Sequence, residues 1–373
     1  MRDPRINSLA RQVIDYSVHL QQGEKILIDV WDGAEDFAIA LMEQAQRVGG
    51  QPYVNLQSMA VERAFMLGLD EPTIKGWYEY ELNRMKEMDA YVVVRRQENI
   101  NEYADVPEEK KNLYHKYYGL LHYGERLTNT KWCVLRYPNA SMAQLSGMST
   151  EQFENYYFDT CCIDYKKLNE AADALCGLAS KTDKVRITGP DTDITFSVKG
   201  LCEPHSACGI FNVPCGETGM PVVTDSANGT IHYNLPSTFQ GFVFTDVRLT
   251  LKDGLIVEAT SNNTKLMNEI LDTDANARRI GEFAIGFNPA ITVPINDTLF
   301  DEKMTGSLHF TPGNSTVNPS AIHWDLVALQ TAEAGGGEIW FDDVLIRKDG
   351  IFVLDSLKHL NPEELLPAVA PRY

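Results

Sequence analysis

Four short apolar runs, each separated from the next by a stretch of helical periodicity, occupy the first 135 residues of this chain. They are Glu24–Val30, Gln51–Leu56, Ala90–Arg95 and Lys131–Leu135. The intervening segments Ala34–Arg47, Pro72–Met88 and Glu108–Tyr118 read as helices, the first stopped by Gly49-Gly50. A strand–helix–strand rhythm requires parallel pairing with right-handed crossovers. An opening helix over Arg2–Leu20 precedes it. The expectation is an α/β N-terminal domain with a mainly parallel sheet over residues 1–185.

The texture changes near Lys184. Thr150–Leu178 still reads as helix, with Ser149 or Thr150 as N-cap. Beyond it, short strands and turns dominate: Lys184–Gly189, Asp191–Val198, Gly229–Tyr233 and Phe242–Leu251. Asp253-Gly254 and Asp349-Gly350 each sit between apolar runs and predict hairpins. One helix is expected over Asn263–Ile280. Gly335-Gly336-Gly337 lacks the spacing and following Lys of a phosphate loop and reads as a linker before the strand Glu338–Phe341. Residues 186–373 are therefore expected to form a mixed, β-rich α+β domain, and a length of 373 residues suits two domains.

The net charge of −19 argues against nucleic acid and anionic membrane as partners. The N-terminus carries charges where a signal peptide would be apolar, and no run of about 18 apolar residues suggests a membrane span. Seven cysteines, an odd number without a CxxC pair, fit reduced thiols and a cytoplasmic protein.

Four segments carry candidate chemistry. In Ala321-Ile322-His323-Trp324-Asp325-Leu326 polar and apolar residues alternate, the pattern of a half-buried strand that puts His323 and Asp325 on one face. The pair is open to two readings, a His–Asp hydrogen bond or two metal ligands. Glu217 follows Pro214-Cys215-Gly216 and is expected at a turn. Glu282 is a lone charge in the apolar run Ile280–Gly286, so it faces either solvent or a cation. His309 lies on a strand between Leu308 and Phe310, downstream of Asp301-Glu302-Lys303. His232, on another strand, reads as an ordinary hydrogen-bonded histidine.

In this order, these segments resemble the M29 family of metallo-aminopeptidases, of the aminopeptidase T and PepS type. The shared features are a Gly-Glu after an Asn-x-Pro-x turn, a Gly-Glu-x-Ala-x-Gly, an Asp-Glu-Lys followed by a Gly-Thr-x-His strand (Ser307 replacing Thr here), and a His-Trp-Asp. The likeness extends to Leu135-Arg136-Tyr137-Pro138 and Met148-Ser149-Thr150-Glu151. The resemblance implies that Glu217, Glu282, His309, His323 and Asp325 bind two divalent ions, with the β-rich half as the catalytic, metal-binding domain. It also implies a homodimer that releases N-terminal residues from short peptides through a metal-activated water. Oxygen and nitrogen ligands suit Zn²⁺, Co²⁺ or Mn²⁺. The pattern departs at Thr316, where the family has a Tyr that completes the metal site. Thr316, Ser315 or a water is left to fill that place, and no general base is identifiable. Two alternatives accompany this reading. His309, His323 and Asp325 alone would make a non-haem Fe(II) site for ring-cleaving oxygenation on the same architecture. A non-peptidase hydrolase or binding protein would keep only the fold.

Overall fold

The computed structural model describes residues 3–371. The chain divides into two compact units: one runs through Cys162 and takes back Gly209–Pro214, and the other comprises Ile163–Cys208 and Cys215–Ala370.

In the first unit the four apolar runs become the strands Lys25–Trp31, Gln51–Gln57, Ala90–Arg95 and Lys131–Arg136, joined by the short Asn212–Val213. All pair in parallel, in the spatial order second, first, third, fourth, fifth. The central Ala90–Arg95 strand is buried through Val94, as a strand covered on both faces must be. The opening helix is Pro4–Arg11, continued by a wider π-helical turn over Gln12–Ser17. An additional helix, Met59–Leu67, follows the second strand.

The second unit opens on the helix Tyr165–Ala179, capped by Asp164, whose carboxylate accepts from Lys167 N. The helical stretch expected over Thr150–Leu178 is thus two helices, broken at residues 162–164. An eight-stranded antiparallel sheet follows, running in space from Leu255–Thr260 through Thr192–Ser197 and Lys184–Gly189 to Ile351–Phe352. Both expected Asp-Gly hairpins are present, with Asp253, Gly254, Asp349 and Gly350 all at positive φ. The expected strand Phe242–Leu251 is two strands, Phe242–Phe244 and Val247–Lys252, parted where Asp246 takes φ 53°.

A four-stranded antiparallel sheet packs against the larger one. Its order is Val327–Leu329, Ser307–Pro312, Ile280–Gly286, Glu217–Pro221. Phe196 from the large sheet meets Phe310 at 4.7 Å and Phe283 at 5.1 Å, ring centre to ring centre. Tyr233 donates to Phe310 O at 2.8 Å. Two expectations are corrected here. The helix expected over Asn263–Ile280 is only Thr264–Leu271, because Asp272-Thr273-Asp274 turns the chain, and Ile280 begins a strand. Glu217 begins a strand instead of lying in a turn.

Candidate metal centre

Side chains alternate across a sheet, so the register of the small sheet decides what meets what. Ala284 pairs with Gly219 on one side and with His309 on the other; Glu282 pairs with Pro221 and Thr311, and Gly286 with Glu217. Phe283, Leu308 and Phe310 belong to the opposite, core-facing set. Glu217, Glu282, His309 and Thr311 therefore share the face turned away from the core, and Gly219, Ala284 and Gly286 keep that face low. A Cβ on Gly219 would stand 2.3 Å from Glu282 Oε1, so the glycine makes room for the carboxylate.

The position of Glu217 is fixed by its neighbours. Gly216 has φ 143° and lies against Asn288, where a Cβ would come within 2.5 Å. Asn288 is fully buried and donates to Cys215 O at 2.6 Å, while its own N–H bonds Lys303 O at 2.8 Å. One asparagine thus ties the start of the Glu217 strand to the segment that carries Lys303.

His323 and Asp325 reach the same face from an extended segment. The regular strand expected over Ala321–Leu326 is not formed; a single bridge pairs His323 with Gly313, and the ladder starts at Val327. The alternation nevertheless holds. Ile322 and Trp324 are buried, with Trp324 Nε1 donating to Ser237 Oγ at 2.9 Å and its ring against Phe239 and Phe244.

All five residues implied by the resemblance converge. His309 is the hub and is 2 % exposed. Its Nδ1 lies 3.5 Å from Glu217 Oε2, and its Nε2 lies 3.9 Å from Glu282 Oε1 and 4.0 Å from Asp325 Oδ1. His323 Nε2 is 3.1 Å from Asp325 Oδ1 and 3.9 Å from Glu282 Oε2. Ligand atoms of Glu282, His309 and Asp325 all lie within 4.8 Å of one another. Outer contacts orient the groups: Thr311 Oγ1 donates to Asp325 Oδ1 at 2.8 Å, and His323 Nδ1 donates to Asn314 O at 2.8 Å, which turns the Nε2 lone pair inward.

Burial and crowding set the charges. Burial pushes Glu217 up to about 7 despite Lys303 and His309 beside it. For the two histidines burial works the other way and is outweighed: the Glu217 and Glu282 carboxylates raise His309 to about 9, and Asp325 raises His323 to about 10. Burial also opposes ionisation of Asp325, yet His323 holds its carboxyl well below the usual range. Without an ion, then, the imidazoles hold protons against the carboxylates. His309 Nδ1 and Glu217 Oε2 are buried and have no hydrogen-bond partner. Orphaned donor atoms of this kind, all oxygen or imidazole nitrogen, fit a hard or borderline divalent cation.

The sequence profile of the family described as thermophilic metalloprotease (M29) matches residues 2–336. The chain belongs to the M29 family. Among M29-type relatives, aminopeptidase PepS of Streptococcus thermophilus is 27 % identical over 205 residues, covering 48 % of each chain. Aminopeptidase 2 of Geobacillus stearothermophilus is 33 % identical over 97 residues, 25 % of this chain and 24 % of the relative. The chain thus spans about half, or less, of the length of the curated relatives it matches. In fold it is similar to wild-type AmpT from Thermus thermophilus, with TM-score 0.78, 19 % identity and coverage of 94 % of this chain and 99 % of that one. A 2,5-dihydroxypyridine dioxygenase from Pseudomonas putida KT2440 aligns with TM-score 0.55 and 13 % identity over 96 % of this chain and 99 % of that one. These two likenesses show the architecture alone.

Against the M29 pattern, Thr316 lies exposed in the loop between Gly313 and His323. Ser315 Oγ accepts from Val317 N and Asn318 N, which stiffens that loop. Three contributors escaped the sequence reading. Thr311 was within reach, being two residues from His309 on the same strand. Glu302 and Lys303 were visible as a motif but carried no role: Lys303 Nζ donates to both Glu217 Oε1 and Glu302 Oε1, with Lys303 and Glu302 buried and Glu217 half-buried.

Proposed function

We propose that the protein is a metal-dependent aminopeptidase that releases N-terminal residues from short peptides, with its catalytic site in the β-rich residues 186–373. The observation that supports this best is the convergence of Glu217, Glu282, His309, His323 and Asp325 from four segments around buried donor atoms that lack partners. M29 membership supports metal use and the exopeptidase reading. Two divalent ions, Zn²⁺, Co²⁺ or Mn²⁺, are the proposed cofactors; when bound they supply an acidified water and polarise the scissile carbonyl.

The chain's own residues do the rest. Glu282, with an oxygen 3.9 Å from each imidazole, would hold metal together with both histidines. Asp325 is fixed by Thr311, and His323 by the Asn314 carbonyl. His309, flanked by carboxylates on both ring nitrogens, links the Glu217 side of the centre to the Asp325 side. Glu282 within 3.9 Å of each imidazole is a carboxylate that a mononuclear two-His-one-carboxylate iron site would not use, which favours hydrolysis over oxygenation. Thr316, Ser315 or a water takes the place of the family Tyr in this reading. A homodimer in the cytoplasm completes it, supported by the family resemblance and by the odd cysteine count.

The test is metal content per chain together with hydrolysis of Leu- and Ala-p-nitroanilide, before and after chelation and Co²⁺ or Zn²⁺ add-back. Two ions per chain and restored hydrolysis, lost by at least about 100-fold in Glu282→Ala, are expected. A single iron with no hydrolysis would sink the proposal.

A further inference from the structure

Lys303 is the one ammonium in contact with the centre among the described residues. Its side chain is 1 % exposed, and it is shared by Glu217, 15 % exposed, and Glu302, 6 % exposed. It occupies Oε1 of Glu217 and leaves Oε2, which has no hydrogen-bond partner, facing His309. The same ammonium holds Oε1 of Glu302, whose Oε2 is likewise buried and unpartnered. Lys303 therefore does two things at once. It limits Glu217 to one oxygen, and it draws onto itself a fourth carboxylate that would otherwise add its charge to the site.

We propose that Lys303 is a resident cation of the centre that competes with a metal ion for Glu217, weakening and so tuning the ion position that Glu217 serves. The inference rests on the ligand assignment made under Proposed function. Glu302 is the counterweight in this arrangement: it shares the ammonium with Glu217 and thereby loosens the grip of Lys303 on the ligand. Both are positioning residues, since neither is placed among the ligand atoms.

The arrangement gives the two substitutions opposite signs. Lys303→Met keeps the length of the side chain but frees both oxygens of Glu217 and leaves Glu302 uncompensated, so a divalent ion binds more tightly. Glu302→Gln leaves the ammonium to Glu217 alone, so the ion binds less tightly. General damage to the site would weaken binding in both.

The experiment is calorimetric titration of Mn²⁺ into the metal-depleted full chain, reading the weakest resolved binding step. Lys303→Met is expected to tighten that step by about tenfold or more and Glu302→Gln to weaken it by about tenfold, from Coulomb interaction at contact distance. If circular dichroism shows Lys303→Met unfolded, the double variant Lys303→Met/Glu302→Gln restores the charge balance. It is then expected to bind Mn²⁺ more tightly than Glu302→Gln alone. Equal affinities in that pair, or loss of affinity on removing Lys303, overturns the inference. Glu282→Gln, titrated in parallel, separates the two levels. If it binds Mn²⁺ like the parent protein, the ligand assignment itself fails. If it loses binding while the Lys303 and Glu302 variants do not diverge, the inference alone fails.

Discussion

In the first unit the buried Asp29 and Glu81 and the half-buried Glu62 keep company with Arg84, Arg95 and Arg126; in the second, Glu217, Glu282, Glu302 and Asp325 have only Lys303 and two histidines. The first set is balanced by the chain itself. Arg84 bonds Glu81 at 2.7 Å, Arg126 lies 3.9 Å from Asp29 and 3.8 Å from Glu81, and Tyr103 and Tyr114 donate to Glu62. Gln57 and Tyr91 complete Asp29 at 2.8 Å and 3.1 Å. The second set has four carboxylates against one ammonium, and its histidines can neutralise the excess only by holding protons. Buried charge is tolerated when it is paired, and the difference between the sets is whether the partner is part of the chain or must come from outside.

Three expected outcomes sharpen that contrast. The largest concerns stability in the first set. Arg126→Met strands Asp29 and should cost about 3 kcal/mol or more in chemical denaturation, because an unpaired buried charge remains. The loss should be the same with and without divalent metal. A loss that added metal repairs would break the comparison.

The next concerns pH. His309 and His323 sit at about 9 and 10 in the folded, ion-free protein, above the ordinary value of about 6.5. Their contribution to ion-free stability is therefore complete below about pH 6.5 and is lost as pH rises through 9 to 10. Ion binding needs the neutral imidazoles, so it runs in the opposite direction. Affinity should rise with pH through the neutral range, with about two protons released at pH 7. Calorimetry in buffers of different ionisation enthalpy reads that number. The guanidinium groups of the first set keep their charge over the same range, so its contribution should not follow this profile. Proton-free binding would contradict the assignment of both histidines.

The smallest effect is expected at the edge of the centre. Thr311→Val removes the hydrogen bond that orients Asp325 and leaves the packing volume, and should weaken Mn²⁺ binding by about tenfold. The denaturation midpoint of the ion-free protein should barely move. A midpoint shift as large as that of Arg126→Met would mean that Thr311 serves the fold and not the centre.

The two sets also differ in how far they could be read from residues alone. The parallel sheet was legible because strands buried on both faces are apolar throughout, as in Ala90–Val94. The pairing of His323 with Asp325 was legible from alternation, even though the segment forms no ladder. The helix Thr264–Leu271 was overextended because its apolar spacing runs on toward Ile280, and the turn at Asp272-Thr273-Asp274 interrupts it only once Asp274 accepts from Ser320 Oγ and Ala321 N. The convergence of Lys303 on Glu217 spans 86 positions and depends on the turn before Ser307–Pro312 being held by Asn288, which local patterning does not carry. The charged set of the first unit passed unremarked for the same reason: its partners come from strands and helices far apart in sequence.

The segment bearing His323 and Asp325 has a last consequence. Backbone bonds tie it to the Ser307–Pro312 strand, Trp324 N to Pro312 O at 3.1 Å and Phe310 N to Leu326 O at 3.3 Å, and side chains hold the rest: Asp274 accepts from Ser320 and Ala321, Asn318 Nδ2 donates to Gly313 O at 2.6 Å, and Trp324 is its apolar anchor. Two of the five converging residues thus ride on a strap fastened partly to the edge of the sheet and partly by side chains of the neighbouring loops. Lifting that strap would withdraw both together while Glu217, Glu282 and His309 stayed in place. Asn318 and Asp274 therefore help to set where His323 and Asp325 stand without bonding to either side chain.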